Sequence, residues 1–535
     1  MPFDNGDSTI SRRRVLAGST GVAMAFVAGC QSTSGSPESV EITDALEPQY
    51  NFDPLQAGRG GSRRICAQMF DRLYEWDEGL SLIPKIAAGE PEVERDSMRY
   101  IIEIVDNAEF HNGDPVTAED VVYSFTAPVE DETVLLSQYD MIDIDNTEVV
   151  DETTVQIDLS REYAPFGVQT LATMVVNKSV REEDPEAYNS NPVGSGPYQY
   201  VDHTIGEYVD IEVWDDYWGD VDPNIESVRF TAVPDNSARV SQIQSGDTDV
   251  IMRVPASDWD TLDSHEDVEI QSRQGLPYMS LSYNCNEGPT TDADVRRGIE
   301  HSFSPDQFVE DVLGETGNRA HAPIPSEILN DWDFPASDYE EMVREYDPER
   351  AADLLDGNVP DGWEPRIVCL GRDEYVQFAE RVAGRLQALS EYGVEINPQV
   401  QALGPGEFDT AAYSGNSDEV AMYYVGFAAH GPDPNTYIQP LLHESYEELR
   451  NGIFYDDQEY HDTIIEAVQT TDIEERVELY DSVIRESREQ AIHTPIYFQN
   501  NSHAQQTYVE DLPVHPIVGN WPRLATSGNN ASIQQ

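Results

Sequence analysis

The chain has 535 residues, a length that implies three or four domains and excludes a single small module. Apolar residues make up 39% of it and aromatics 9%, enough for large cores, so an intrinsically disordered chain is excluded as well. Against 31 Lys+Arg stand 102 Asp+Glu, a net charge of −71 that repels phosphate backbones and anionic lipid surfaces, so no nucleic-acid partner is expected.

The acids are spread along the chain, and Lys85 and Lys178 are its two lysines. Such self-repulsion is tolerable where molar counterion cuts the Debye length to about 3 Å, and the sequence reads as that of an extreme halophile, with an acidic mesophilic protein as the alternative. The first thirty residues read as an address. Arg12-Arg13-Arg14 precedes an uncharged stretch from Val15 to Ala28 that is too short and too rich in Gly, Ser and Thr to span a bilayer. It resembles a twin-arginine export signal. Its end, Val27-Ala28-Gly29-Cys30, resembles a lipobox, in which the Cys30 thiol is lipidated and becomes the mature N-terminus. An uncleaved N-terminal anchor is the alternative, and it leaves the body outside all the same. Residues 31–40 carry no packing pattern and read as a tether. Cys66, Cys285 and Cys369 remain, scattered and without C-x-x-C spacing, which predicts neither a disulfide framework nor a zinc site.

Along the body, Tyr100–Val105, Thr153–Leu159, Ser227–Ala232, Ile367–Leu370, Val394–Ile396 and Met422–Phe427 read as strands. A helix is expected from Val376 to Tyr392, with Phe378, Val382, Leu386 and Leu389 on one stripe and Gly393 beyond its end. Another is expected from Ile473 to Gln490. The strand at Ile367, that first helix and the strand at Val394 form a β-α-β unit, so the class is mixed α/β. No stretch after residue 30 reaches 18 uncharged apolar residues; Tyr163 to Asn177 comes nearest and is broken by Pro165 and Gly167. Neither G-x-S-x-G, H-E-x-x-H, a Walker loop nor a Rossmann glycine motif occurs, so no catalytic residue, metal or cofactor is assigned.

Ordered motifs supply the positive signal. They are Met69-Phe70-Asp71-Arg72-Leu73-Tyr74-Glu75-Trp76, Leu82-Ile83-Pro84-Lys85-Ile86-Ala87, Ala108 to Val121, Asn191 to Tyr198, Tyr217-Trp218-Gly219, Ser245 to Asp249, Asp294 to Ile299, and Tyr346-Asp347-Pro348. In this order they resemble the family-5 extracellular solute-binding proteins, the dipeptide, oligopeptide and nickel receptors of ABC importers, from about Asp53 to Phe498. The resemblance implies a periplasmic-binding-protein-like (type II) α/β flytrap with an extra inserted lobe. Lobe I would comprise 41–68, 191–274 and 494–526, lobe II 69–190 and lobe III 275–493, with 527–535 a polar tail. It also implies ABC permease subunits as partners, a small-molecule solute as ligand, and a monomer anchored through lipid on Cys30 at the outer face of the cytoplasmic membrane.

The candidate ligand-binding residues are Arg59, Asn284, Arg372, Phe427, His430 and Asp433. Arg372 falls where the family's dipeptide receptors place an arginine for the ligand carboxylate; a solvated loop arginine is the plain alternative. Arg59, in the loop Ala57–Ser62, is either a second cation in the cleft or solvent-facing. In Gly426–Pro434, His430 stands where peptide receptors carry the aspartate that pairs the peptide ammonium. Asp433 more simply initiates the Asp-Pro turn, and Phe427 holds the place of a pocket tryptophan. Gly194, Gly196 and Pro197 read as packing turns, His111 as a hairpin-turn residue and Thr117 as a helix cap. An exported hydrolase or peptidase without a linear motif is the alternative function. Lowering salt from molar to about 0.1 M, where the Debye length grows to about 10 Å, should unfold the chain or release secondary structure. An unchanged circular-dichroism spectrum over that range would contradict the charge reading.

Overall fold

Two long strands, Val268–Tyr283 and His493–Gln506, run antiparallel from Val268 opposite Gln506 to Ser282 opposite His493, and an 11-stranded sheet is built out from them. The computed structural model describes residues 39–44, 51–416, 420–427 and 431–534; the export signal, Cys30, most of the tether and His430 lie outside the described residues. On one side, His493–Gln506 pairs with Val250–Met252, followed by Ser39–Asp44, Ser227–Ala232, Tyr208–Val213 and Tyr198–Thr204. On the other, Val268–Tyr283 pairs with Met422–Phe427, followed by Arg366–Leu370 and Gln399–Leu403. These two wings are called the first and second half below.

His493–Gln506 shows no hydrophobic alternation and Val268–Tyr283 shows one only at its end, Met279-Ser280-Leu281-Ser282-Tyr283, and sequence reading passes over both. His493–Gln506 is rich in His, Asn, Gln and Ser yet mostly buried. Its polar groups are satisfied laterally: the Tyr278 hydroxyl and the Ser282 hydroxyl meet the two ring nitrogens of His493 at 2.8 and 3.0 Å, and the Trp521 indole N–H donates to His503 at 3.1 Å. Burial holds the His493 ring neutral, its pKa pushed down to about 3 by desolvation and by Arg488. A bulge falls between Gln274 and Tyr278, where Gly275 comes so close to the partner strand that a Cβ would meet the Gln499 carbonyl at 2.8 Å.

In the second half both sheet faces are covered, so period-two alternation divides its side chains between two cores. Met422 and Tyr424 face Phe378, Val382 and Leu386 of the helix Asp373–Gln387, whereas Tyr423 and Val425 face Tyr437, Tyr460 and Ile484. That helix carries the expected stripe; it starts three residues earlier, with Asp373 and Glu374 in its first turn, and ends through a 3-10 turn Ala388–Tyr392 at Gly393, φ 93°. The β-α-β unit is present, but its second parallel strand is Gln399–Leu403, not Val394–Ile396. Val394 and Ile396 point into the core from an irregular approach that makes a single isolated bridge, Ile396 to Trp363, ahead of the strand Arg366–Leu370, and Pro398 delays the ladder. The helix Ile473–Glu489 forms as expected, with the Asp472 carboxylate accepting from the Glu475 N–H at 3.0 Å.

The segment between Met69 and Asn191 adds a separate four-stranded antiparallel sheet, ordered Glu92–Glu94, Arg99–Glu103, Thr154–Asp158, Glu148–Asp151, with Tyr100, Ile102, Val155 and Ile157 packed on Val121 and Phe125. Thr117 caps the helix Ala118–Glu130 in a capping box with Asp120. His111 does more than turn the chain. Its Nδ1 accepts from the Gly194 N–H at 3.2 Å and its Nε2 lies 3.0 Å from the Gly196 carbonyl, which fastens the inserted segment to the turn where the chain returns to the first half. Burial pushes the ring pKa down to about 4, so it makes these bonds neutral. At that turn a Cβ on Gly194 would stand 1.9 Å from the Met69 carbonyl, and one on Gly196 would stand 2.7 Å from that of Gln68. Gly194→Ala should therefore lower stability by about 1–3 kcal/mol through overpacking. The control Gly89→Ala, with nothing within 4 Å of its Cβ, should not. Equal denaturation midpoints for the two variants would refute the packing account.

Candidate functional site

Arg59, Gly60, Gly61 and Ser62, together with Arg239 and Arg253, face Arg372, Glu374, Tyr375 and Tyr497 across a cavity of about 1060 Å³ between the two halves of the large sheet. Local structure explains why these residues meet. Arg59 is the extended residue that opens the helix Gly60–Met69, which has no side-chain cap and no acid in its first turn, so its first N–H groups keep their capacity for an acceptor. Arg372 opens the helix Asp373–Gln387 directly after the parallel strand Arg366–Leu370. The carboxyl ends of such strands are where open α/β sheets receive ligands. Its guanidinium lies 5.7 Å from the Tyr375 ring. Arg253 follows the strand Val250–Met252 in a left-handed turn, φ 60°, pinned by its N–H to the Ser502 carbonyl at 2.6 Å.

The electrostatics are unusual for a chain of net charge −71. Most buried cations have carboxylate partners: Arg181 with Asp53, Arg488 and Arg344 with Glu300, Arg523 with Glu75. Among the described residues, Arg239, Arg253 and Arg372 form no ion pair. Arg239 is 1% exposed and is held by the Val233 carbonyl at 2.8 Å and the Asn236 side chain at 2.7 Å. Burial pushes its pKa down to about 10, and the Arg253 charge adds to that shift. Arg253 and Arg372 are exposed; desolvation by neighbouring atoms, then the Arg372 charge, hold Arg253 below the ordinary arginine value, with Glu374 opposing.

A smaller cavity of about 100 Å³ lies on the other side of the first turn of Gly60–Met69, among Arg63, Trp76, Tyr163, Phe427, Tyr446 and Arg450. The Trp76 indole donates to the Val168 carbonyl at 3.2 Å and packs against Arg72 at 5.5 Å. Arg450 sits 6.0 Å from the Phe427 ring, and the Arg63 Nη1 is buried with no hydrogen-bond partner. Gln169 of the inserted segment hydrogen-bonds Thr436, closing the wall between that segment and the second half.

The candidate residues read from sequence thus divide. Arg59 and Arg372 share the large cavity, Phe427 lines the small one, and His430 lies outside the described residues. Asp433 lines neither. It is fully buried, both carboxylate oxygens are taken by the Arg476 fork at 2.9 Å each, and Oδ1 also accepts from the Asn435 N–H at 2.7 Å, so the turn reading describes it better than a ligand role. Burial pulls the Arg476 pKa down, but Asp433 and Tyr480 together more than offset this and hold it above its ordinary value. Asn284 also lines neither cavity; its Oδ1 accepts from the Asn286 N–H at 2.9 Å and its own N–H donates to Ala421. Sequence reading missed Arg63, Trp76, Tyr163, Arg239, Arg253 and Arg450. The signal that was available is scarcity: in a chain with 31 basic residues, each arginine without an acid nearby is a candidate. Among the described residues no group of three His, Cys, Asp or Glu side chains comes together as a metal site.

A cleft between two halves of an open sheet, lined by cations and aromatics, with strands leading through it, defines a ligand-binding protein of the type II periplasmic-binding class. The chain belongs to the family described as bacterial extracellular solute-binding proteins, family 5, whose model matches residues 81–448. It is a solute-binding receptor and not an enzyme, which sets aside the hydrolase alternative. It is 23% identical over 503 residues to heme-binding protein A of Haemophilus influenzae, covering 86% of this chain and 89% of that one. To the glutathione-binding protein GsiB of Pectobacterium atrosepticum it is 22% identical over 443 residues, 80% of this chain and 83% of the relative. The crystal structure of NikZ from Campylobacter jejuni with Ni(L-His) superimposes with a TM-score of 0.76 at 20% identity, covering 91% of this chain and 98% of that one.

Breaking the buried pair by Asp433→Asn leaves Arg476 uncompensated and should cost about 3–5 kcal/mol of stability, read from denaturant midpoints in molar salt. A wild-type midpoint would mean that the carboxylate is dispensable to the fold and would return Asp433 to the ligand set.

Proposed function

We propose that this protein is the solute receptor of an ABC importer and that it takes a small, acceptor-rich or anionic solute between the two halves of its large sheet. The observation that carries the proposal is the 1060 Å³ cavity that brings Arg239, Arg253 and Arg372 together, none of which forms an ion pair among the described residues, in a chain of net charge −71. Attraction between those cations and an anionic solute is weakly screened inside a cleft, even where the surrounding salt is molar. In this reading the protein is exported by the twin-arginine route and held by lipid on Cys30 at the outer face of the cytoplasmic membrane. Its lobes are those drawn above from sequence: 41–68 with 191–274 and 494–526, then 69–190, then 275–493. Solute touching both walls stabilises a closed form by differential contact, and the permease subunits recognise that form.

Arg59, Arg372, Phe427 and His430 make up the proposed contact set; Arg59 and Arg372 stand in the large cavity, whereas Phe427 lines the small one with Trp76 and Tyr163, so in this reading the solute reaches from one into the other. The names of the relatives span heme, glutathione and a nickel–histidine complex, so family membership leaves the solute open. His430 narrows it. A neutral imidazole can donate or accept one hydrogen bond at each ring nitrogen, which suits hydroxyl, carbonyl or carboxylate groups better than an ammonium ion.

Mass spectrometry of the molecule released from protein purified in molar salt should find a small polar solute, unmodified by the protein. Free di- and tripeptides should bind weakly, and His430→Asp should improve binding of peptides with a free amine relative to their N-acetylated forms. His430→Ala should weaken the natural solute by more than about 1 kcal/mol, the scale of one lost buried hydrogen bond. Tight calorimetric binding of an unmodified peptide to the wild type, abolished by N-acetylation, would overturn the His430 argument.

A further inference from the structure

Arg253 is the residue that the family motifs leave unexplained. It carries a bulky side chain at φ 60°, a conformation in which Gly or Asn would hold the same turn with less strain. The turn itself is fixed by the backbone, through the Arg253 N–H to the Ser502 carbonyl and the Val254 N–H to the Ser502 hydroxyl at 3.2 Å. What an arginine adds there is a guanidinium in the large cavity, on the wall opposite Arg372. Three acids line the same cavity, and Glu374 attracts Arg253 from a distance, but none of them forms an ion pair with it. Asp311 is committed to Arg381 at 3.0 Å, while Asp373 and Glu374 occupy the first turn of their own helix, where its dipole favours them, and neither forms an ion pair with Arg253 or Arg372. The uncapped start of Gly60–Met69 and the buried Arg239 add to the positive field on the Arg253 side.

We infer that Arg253 and Arg372 form a two-sided clamp, one guanidinium from each half of the sheet, and that the solute carries at least two anionic groups such as carboxylates or phosphates. This rests on the receptor reading and narrows its solute to a dianion class. The two like charges repel as the halves approach, which disfavours closure of an empty cleft. A solute with one anionic group neutralises one wall and leaves the other cation unpaired, whereas a dianion gives each fork a bidentate partner and turns repulsion into attraction. Arg253 is then the specificity residue that counts charge.

The test uses the full-length protein, stripped of co-purifying solute, in molar KCl, with butyrate, glutarate and citrate as probes of one, two and three carboxylates. Glutarate and citrate should raise the thermal midpoint and butyrate should not. Arg253→Asn suits the left-handed turn, so its midpoint without probe should match the wild type, and it should bind citrate at least tenfold more weakly. Arg253→Lys should recover part of that loss, and Arg372→Gln should reproduce it. Equal shifts with all three acids, no shift with any, or an undiminished citrate response in Arg253→Asn would overturn the clamp. A neutral or cationic molecule recovered from the native protein would overturn the dianion class and leave the receptor standing. A protein that carries no solute and responds to no acid, peptide or sugar would overturn both.

Discussion

The pairing of Val268–Tyr283 with His493–Gln506 is the constraint on which the remaining architecture depends. These strands belong to both halves of the sheet: one end of the pair borders Val250–Met252, the other borders Met422–Phe427, and the bulge at Gln274–Tyr278 falls between the two regions. Because the halves are joined through a hydrogen-bonded ladder and not a loop, the walls of the large cavity are positioned by strand register. A slip of one residue would send His493 and its neighbours to the opposite face and leave Tyr278 and Ser282 without partners. The polar composition of these strands is thus a specificity device, since a buried hydroxyl or imidazole accepts one register where a leucine would accept several.

Charge organises the molecule at a second level. With more than three acids for each base, the surface has abundant carboxylates and each cation placed inside has partners at hand. The fold uses that for Arg181, Arg476 and Arg488, whose forks bind carboxylates far apart in sequence and tie segments together. Against this background, Arg239, Arg253 and Arg372 stand apart, since among the described residues none of the three forms an ion pair. In concentrated salt, long-range attraction from outside would be slight and discrimination would rest on contact geometry at short distance, which is the task a planar guanidinium performs well.

What the sequence by itself determined is the part governed by local periodicity and punctuation. The stripe of Phe378, Val382, Leu386 and Leu389, the stop at Gly393, the Asp472 and Thr117 caps and the strands Ser227–Ala232 and Met422–Phe427 follow from residues within one or two turns of each other. Ordered motifs along the chain fixed the family, and through it the fold. The placement of Gln399–Leu403 was missed because Val394 and Ile396 carry the stronger local pattern and are buried, whereas the edge strand that does pair is exposed or half-buried throughout. The two central strands were missed for a related reason: long stretches of them are polar and satisfy their burial by hydrogen bonds, and partners 211 residues apart are invisible to any local window. The cleft was decided by tertiary structure alone. Arg253 and Arg372 are 119 positions apart in a chain that places no motif around the first of them, and nothing local distinguishes an arginine with a carboxylate partner from one without. That distinction is set by which acids the fold brings within about 4 Å, because at that range in a partly enclosed site an opposite charge is worth several times what it is worth in open water.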